Sequence, residues 1–290
     1  MPEELLTITL ILEPLIEHSQ TPVNWYGRAA QALLLKALSQ ANKGFLPSSY
    51  HTKIHLRPFT ASTLLPAGED SFRNGLLHPG VRYQLRYSAL TAECAGLLER
   101  ATQPGGILSM GETIPLVHKF YVRGILKNEE LPLQTGGYSY ASLREKTCRQ
   151  AGRLADKITL KFTSPTAFSQ TGKAHATGQP TPRLVFQHLA DKWNSFSPPQ
   201  EPKINGEFIN FICEFVEISK YELKTVAVKF ESAREGDHST YIGFTGTASF
   251  GCRKTNDPHW VLAHLLAAFS TFAGVGKNTA RGFGQCHPLH

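Results

Sequence analysis

Val81-Arg-Tyr-Gln-Leu-Arg-Tyr-Ser-Ala-Leu90, followed at once by Thr91-Ala-Glu-Cys-Ala-Gly-Leu-Leu-Glu-Arg-Ala101, is the stretch that decides the fold. Val81, Tyr83, Leu85 and Tyr87 alternate with Arg82, Gln84, Arg86 and Ser88. A period of two sends the two sets to opposite faces of a strand. Thr91 stands where a helix N-cap belongs, so a helix is predicted from Ala92 to about Ala101. Toward the N-terminus, Arg57 to Leu65 reads as a strand. Leu5 to Ile16 is strongly apolar and β-branched and reads as a central strand. Pro22 and Asn24 introduce a helical pattern through about Gln40, with Asn24 as its candidate cap. Ile114 to Leu126 supplies the fourth strand. The order is β-α-β-β-α-β, the ferredoxin-like (RRM-like) arrangement.

Lys127 to Arg149 holds Pro132, Gly136 and Gly137 and reads as a linker. The second half opens on another alternating strand, Lys157 to Thr163. A helix from Pro182 to Trp193 follows, then a proline-rich loop from Ser195 to Asn205. Phe208 to Phe215 and Leu223 to Phe230 are strand candidates, and Tyr241 to Cys252 is a further strand or hairpin. His259 to Phe272 forms the last helix, and Phe283 to Leu289 a short terminal strand. The predicted fold class is α+β, with two tandem ferredoxin-like domains over residues 1–130 and 150–290 and a glycine-rich loop near the C-terminus. The halves share no close sequence repeat, so the duplication is a matter of topology.

With 290 residues the chain has room for one large domain or two ordinary ones. A net charge of +7 permits a polyanionic partner without requiring one. Cys94, Cys148, Cys213, Cys252 and Cys286 are odd in number and widely spaced, with no CxxC pair. That argues against a disulfide framework and a structural zinc site, and for a reducing cytoplasm. No run of 18 apolar residues or basic leader with a cleavage pattern occurs, so no membrane partner is expected.

The loop Phe272-Ala-Gly-Val-Gly-Lys-Asn-Thr-Ala-Arg-Gly-Phe-Gly-Gln-Cys286 carries Gly274, Gly276, Gly282 and Gly284 around Lys277, Asn278 and Arg281. Glycine lets backbone approach a ligand closely. The two cations would meet an anion there. Neither Gly-x-Gly pair opens a helix after a strand, and no Walker A loop is present, so no nucleotide cofactor is expected. The bland alternative is a helix terminus with Gly274 as its C-cap, followed by a tight hairpin. From residue 237 onward Arg253, Lys254, Lys277 and Arg281 face only Asp237 and Asp257, so this end is locally basic and suited to backbone phosphates.

Between the first helix and the second strand lies Ser48-Ser-Tyr-His-Thr-Lys-Ile-His-Leu-Arg-Pro-Phe-Thr-Ala-Ser-Thr-Leu-Leu65. His51 and His55 are both candidates for general acid or base. Lys53 and Arg57 could stabilise negative charge on a phosphorane-like transition state. Each histidine could equally be one of the chain's 12 with only a structural or surface role.

Three segments resemble a CRISPR-associated repeat-RNA processing endoribonuclease of the repeat-associated mysterious protein (RAMP) superfamily. They are His51-x(5)-Arg57-Pro-Phe-Thr-Ala-Ser62, Phe162-Thr-Ser-Pro-Thr-Ala-Phe168 with Pro182 and Leu184-Val-Phe186, and the loop Gly274 to Gln285. Their order and spacing cover nearly the whole chain. The resemblance implies metal-independent cleavage within repeat RNA by attack of a 2′-hydroxyl, leaving 2′,3′-cyclic phosphate and 5′-hydroxyl ends. It implies no cofactor. It assigns His51 as general acid or base and Arg57 as the phosphate-stabilising cation. Some relatives use a tyrosine on the first helix. That position falls near Lys36 here, which could stabilise the transition state, contact RNA or be a solvated helix residue; Tyr26, earlier on the helix, is a weaker substitute. RNA contact is expected at Lys53, Arg253, Lys254, Gly274, Gly276, Lys277, Asn278, Arg281, Gly282 and Gly284. Trp25, Tyr50 and Phe283 are candidates for base stacking, and equally for the core. The partner implied is CRISPR repeat RNA, with delivery to a CRISPR effector complex and homodimerisation both left open. The competing function is a non-catalytic RNA-binding subunit of a related ribonucleoprotein.

Overall fold

The computed structural model describes residues 3–15, 25–47, 50, 56–67, 77–78, 80–127, 138–168, 179–231 and 238–289. The chain has a mixed α/β fold with two separate sheets, consistent with tandem ferredoxin-like domains. It divides into two compact units. The first comprises residues 1–137, 228–241 and 280–282, and the second 138–227, 242–279 and 283–290.

In the first unit, β1 (Leu6–Pro14) is the central strand. It pairs antiparallel with β4 (Tyr83–Ala89) on one side and β6 (Lys119–Lys127) on the other. β2 (Phe59–Ala61) and β3 (Leu65–Pro66) both pair with β4, and β5 (Thr113–Pro115) adds to β6. The sheet order β2-β4-β1-β6 is that of a ferredoxin-like unit whose second strand is split. The alternation at 81–90 places Tyr83, Leu85 and Tyr87 in the core as read from sequence. Leu6, Ile8, Leu10 and Leu12 meet them there, with Leu33, Leu34 and Leu38 of α1 (Gly27–Ala41) and Leu97 and Leu98 of α2 (Ala92–Thr102). Each such side chain contributes about 1.5–3 kcal/mol through burial. Thr91 caps α2 by accepting from the Cys94 N–H, while Glu93 and Arg100 complement the helix dipole at its two ends.

Three expectations change in this unit. The strand read over 114–126 is a hairpin, because Pro115 pairs with Lys119 and Leu116 to His118 must turn. The strand read over 57–65 breaks after Ala61, where the Ser62 hydroxyl accepts the Arg86 N–H and Ser62 bridges Gly282 in parallel. Helix α1 starts at Gly27 behind Tyr26, which makes no side-chain cap bond. The proposed cap Asn24 lies outside the described residues.

The second unit's sheet has the order β10-β7-β9-β8, again the ferredoxin-like order. Its strands are β7 (Lys157–Thr166), β8 (Val216–Glu231), β9 (His238–Cys252) and β10 (Cys286–Leu289). The helices are α3 (Tyr140–Arg149), α4 (Pro182–Phe196), α5 (Gly206–Phe215) and α6 (Pro258–Ala273). The presumed linker thus contains a helix: α3 is started by a capping box between Ser139 and Ser142. Its Tyr140 packs edge-on to Trp193 at 4.9 Å and lies 5.5 Å from Phe269. Phe208 to Phe215, read as a strand, is helix. Phe208, Phe211 and Ile212 are buried at helical spacing, and Asn205 caps the helix's first turn by accepting from the Glu207 and Phe208 N–H groups.

Candidate nucleic-acid interface

Within the first unit, the opening turn of α1 and the segment Ala280–Gly282 come into close contact. Trp25 Nε1 donates to the Arg281 carbonyl at 2.8 Å. A Cβ on Gly27 would stand 1.9 Å from that carbonyl oxygen, so only glycine fits at the head of the helix. The Gly282 N–H donates to the Ala61 carbonyl at 2.9 Å, which extends the pairing of β2. These backbone contacts fix Arg281 over the side of α1. Its guanidinium Nε donates to Gln31 Oε1 at 3.0 Å.

Arg57 stands just before β2. Its guanidinium lies 5.9 Å from the Phe59 ring centroid, and its Nη1 is buried with no hydrogen-bond partner. Burial first, and the charge of Arg281 second, hold it below the usual arginine range. The pairing of Ala61 and Ser62 with Gly282 puts the segments of the sequence-predicted Arg57 and Arg281 side by side. Gln31 joins them, a residue the sequence reading passed over. Its signal is visible in retrospect: Gly27, Gln31, Leu34 and Leu38 share one buried stripe of α1, and Gln31 is its polar member.

Lys36 lies on the exposed face of α1. Tyr26, the weaker alternative on that helix, is a core residue. Its ring meets Phe120 edge-on at 6.1 Å, and burial raises its phenol well above the ordinary range. His51, Lys53 and His55 lie outside the described residues. Trp25, Tyr50 and Phe283 are buried, which corrects their reading as stacking platforms.

In the second unit, α6 ends at Gly274, as the bland reading of the loop expected, with φ 59° and its N–H bonded to the Ser270 carbonyl. The rest of the loop folds back tightly. A Cβ on Gly284, whose φ is +66°, would meet the Val275 carbonyl oxygen at 1.9 Å. Gly274, Gly276 and Gly284 are all buried, as is Gly282 in the first unit. The glycines therefore have a packing reason of their own, which the sequence reading granted to only one or two of them. Lys277 is half-buried, its N–H held by the Ala167 carbonyl at 2.8 Å. Asn278 adopts φ 58°, a left-handed conformation that asparagine tolerates.

Beneath this loop lies a residue that the sequence reading missed. Lys192 of α4 is 1% exposed, and its Nζ donates to Thr279 Oγ1 at 2.8 Å and to the Ala273 carbonyl. Desolvation lowers its pKa from 10.5 to about 7. Half-buried His188 accepts the Gly276 N–H at 3.3 Å, which requires a neutral ring nitrogen. Burial of the ring and the neighbouring Lys192 keep it neutral, well below the ordinary histidine value. Lys192 could have been noticed, because it falls on the apolar stripe of Val185, Leu189 and Trp193.

Arg253 and Lys254 form the exposed turn before α6. Arg253 donates through Nη2 to the Glu214 carbonyl at 2.8 Å, and Lys254 Nζ stands 3.7 Å over the Phe215 ring. Both cations therefore complement the C-terminal end of α5. Among the described residues no cluster of His, Cys, Asp and Glu is arranged to hold a metal ion, and no helix is long and apolar enough to cross a membrane.

Residues 160–286 match the family model described as CRISPR-associated endoribonuclease Cas6. A CRISPR-associated endoribonuclease Cas6 from Mycobacterium tuberculosis (strain CDC 1551 / Oshkosh) is 33% identical over 131 residues, which are 44% of this chain and 37% of that protein. The match thus spans little more than a third of the relative's length. Among solved structures, a Cas6 product complex shares 24% identity, 99% of this chain, 100% of its own and a TM-score of 0.70. A Thermus thermophilus Cas6 shares 22% identity over 100% of both chains, with a TM-score of 0.66. At these identities the likeness is one of fold, and it runs the full length.

Proposed function

We propose, from the homology of this chain to the CRISPR-associated Cas6 endoribonucleases of the RAMP superfamily, that it cleaves CRISPR precursor RNA within its repeats to release guide RNAs. The observation that carries this reading is the family match over residues 160–286, which includes the glycine-rich loop. The second support is the pair of cations Arg57 and Arg281 in the first unit, neither of which, among the described residues, makes an ion pair with a carboxylate.

The chemistry proposed is transesterification. The RNA's own 2′-hydroxyl yields its proton to a base as its oxygen attacks the adjacent phosphorus, the bond from phosphorus to the 5′-oxygen breaks, and the 5′-oxygen takes up a proton from an acid. The ends are a 2′,3′-cyclic phosphate and a 5′-hydroxyl. Because the nucleophile is already part of the substrate, positioning and charge stabilisation supply most of the catalysis, and no metal-activated water is needed. His51 serves as general acid or base. Arg57 stabilises charge on the phosphorane-like transition state. Lys36, exposed on α1, contacts the RNA or adds to that stabilisation. Lys53, Arg253, Lys254, Lys277, Asn278 and Arg281 bind the phosphate backbone. Gly274, Gly276, Gly282 and Gly284 act by shaping the loop that carries those groups. RNA is the partner proposed, with the processed product retained or passed to an effector complex.

The test is cleavage of end-labelled repeat RNA from the same genome in excess EDTA, with wild type beside His51→Ala and binding measured separately. Cutting by wild type, lost in a folded variant that still binds, is the expected result. Binding without any cutting by wild type would favour a non-catalytic RNA-binding subunit.

A further inference from the structure

We propose that Gln31, Arg57 and Arg281 form a preorganised pocket for one backbone phosphate of bound RNA, with the Gln31 amide nitrogen as a direct ligand. All three residues belong to the first unit. The inference deepens the proposed function and rests on it for the identity of the ligand.

Gln31 is only 7% exposed, yet its Nε2 has no hydrogen-bond partner. Its Oε1 accepts from Arg281 Nε, so the amide is oriented and its nitrogen is the open end. Arg57 Nη1 is a second buried donor without a partner. Leaving such donors unsatisfied is costly, and native proteins seldom do so without a functional reason. Arg57 runs into β2, whose Ala61 carbonyl accepts from the Gly282 N–H directly after Arg281, so the two guanidinium groups sit on paired segments, and among the described residues neither makes an ion pair with a carboxylate. A tetrahedral oxyanion answers all three conditions at once. It accepts from several donors, it carries the missing negative charge, and guanidinium suits phosphate geometry. A cation, a carbonyl or an apolar group would leave the charge or the donors unanswered.

The pocket is also built and not assembled by chance on a mobile surface. The Arg281 carbonyl is bonded to Trp25, the Gly282 N–H to Ala61, and Gly27 removes the Cβ that would hold α1 away. Gln31 thus does two tasks: it locks the Arg281 side chain and supplies a neutral donor beside it.

The decisive substitution is Gln31→Glu. It keeps size and the bond to Arg281, and places a carboxylate where the phosphate would bind. Two arms are needed on the full-length chain. In the first, thermal melting is followed as inorganic phosphate replaces chloride at constant ionic strength. Phosphate should raise the wild-type midpoint, and the rise should vanish in Gln31→Glu and in Arg57→Ala. A wild-type midpoint indifferent to phosphate, or an equal rise in Gln31→Glu, overturns the pocket. In the second arm, affinity for a non-cleavable repeat RNA is measured across a salt series. Gln31→Glu should weaken binding about tenfold or more at low salt and flatten the log–log salt slope by about 0.7, the value of one phosphate contact on a single strand. Gln31→Leu, which removes the donor without adding charge, should weaken binding less and retain its fold by the same melting assay. A phosphate effect with unchanged RNA affinity in Gln31→Glu would overturn the RNA assignment and leave a free-phosphate site. Failure of the cleavage reading is distinguishable, because it would appear as wild type that neither cuts nor binds the repeat while the phosphate arm still reports on the pocket.

Discussion

Replacing Gly27 with alanine should destabilise this protein, although helix propensity alone predicts the opposite. Alanine at an exposed helical glycine typically gains up to about 1 kcal/mol. At Gly27, however, the new Cβ would lie 1.9 Å from the Arg281 carbonyl oxygen and 2.4 Å from Trp25 Nε1, the two atoms of one hydrogen bond. Reaching an ordinary contact of 3.4 Å from the oxygen requires a retreat of about 1.5 Å. That movement separates the bonded pair and strands a buried indole N–H, at a cost of about 1–3 kcal/mol. Overpacking adds roughly 1–3 kcal/mol. After subtracting the propensity gain of about 1 kcal/mol, the net loss is about 1–5 kcal/mol. For a chain of this size, at about 1.6 °C per kcal/mol, that lowers the melting midpoint by roughly 2–8 °C. Gly96→Ala on α2 is the matched control, since its Cβ would meet nothing nearer than Arg100 Nη1 at 3.7 Å. It should stabilise by about 0.5–1 kcal/mol. Both variants can be compared by urea unfolding and thermal circular dichroism. A Gly27→Ala protein as stable as Gly96→Ala, with its tryptophan fluorescence unchanged, would refute the geometric argument.

Burial of Lys192 predicts a pH dependence. Its folded pKa, about 7, lies below its ordinary 10.5, so between those values the unfolded chain binds a proton that the folded chain does not. Stability therefore rises with pH across this window and falls as pH returns toward 7, by at most about 5 kcal/mol in all. The difference in urea midpoint between wild type and Lys192→Met should change steadily from pH 7 to 9, and parallel curves would count against it. A repeat RNA with a single 2′-deoxy nucleotide at the cut should bind with nearly unchanged affinity and resist cleavage; gel analysis showing a cut at that site would remove the internal-nucleophile mechanism. Lys277→Ala should reduce repeat affinity severalfold and lower the salt slope, read by filter binding, whereas an unchanged slope would take Lys277 out of the phosphate contacts.

The first sheet was legible because its strands expose one face to the core and alternate cleanly, as Tyr83, Leu85 and Tyr87 do. At Phe208–Phe215 a short, densely apolar run hid its helical spacing, and length alone did not separate helix from strand. Helix α3 was missed because its start signal, a serine pair, sits beside glycines that suggested a linker. For the site, Arg281 was conspicuous as a cation among glycines, and Arg57 through the pattern His51-x(5)-Arg57-Pro-Phe. Gln31 and Lys192 were not legible by charge or type. Their importance comes from facing inward on amphipathic helices, which becomes apparent only when each helix is projected onto its buried stripe. For Trp25, Tyr50 and Phe283 the core alternative held over base stacking, as is usual for an aromatic residue near a basic segment.

The unanswered donors on Gln31 and Arg57 have an evolutionary consequence. Substitutions that fill or neutralise that spot, such as Arg57→Leu, would relieve a desolvated charge and should make the empty protein hardier. Laboratory selection for heat resistance alone would therefore drift toward their loss, whereas selection that also demands the bound partner would preserve them.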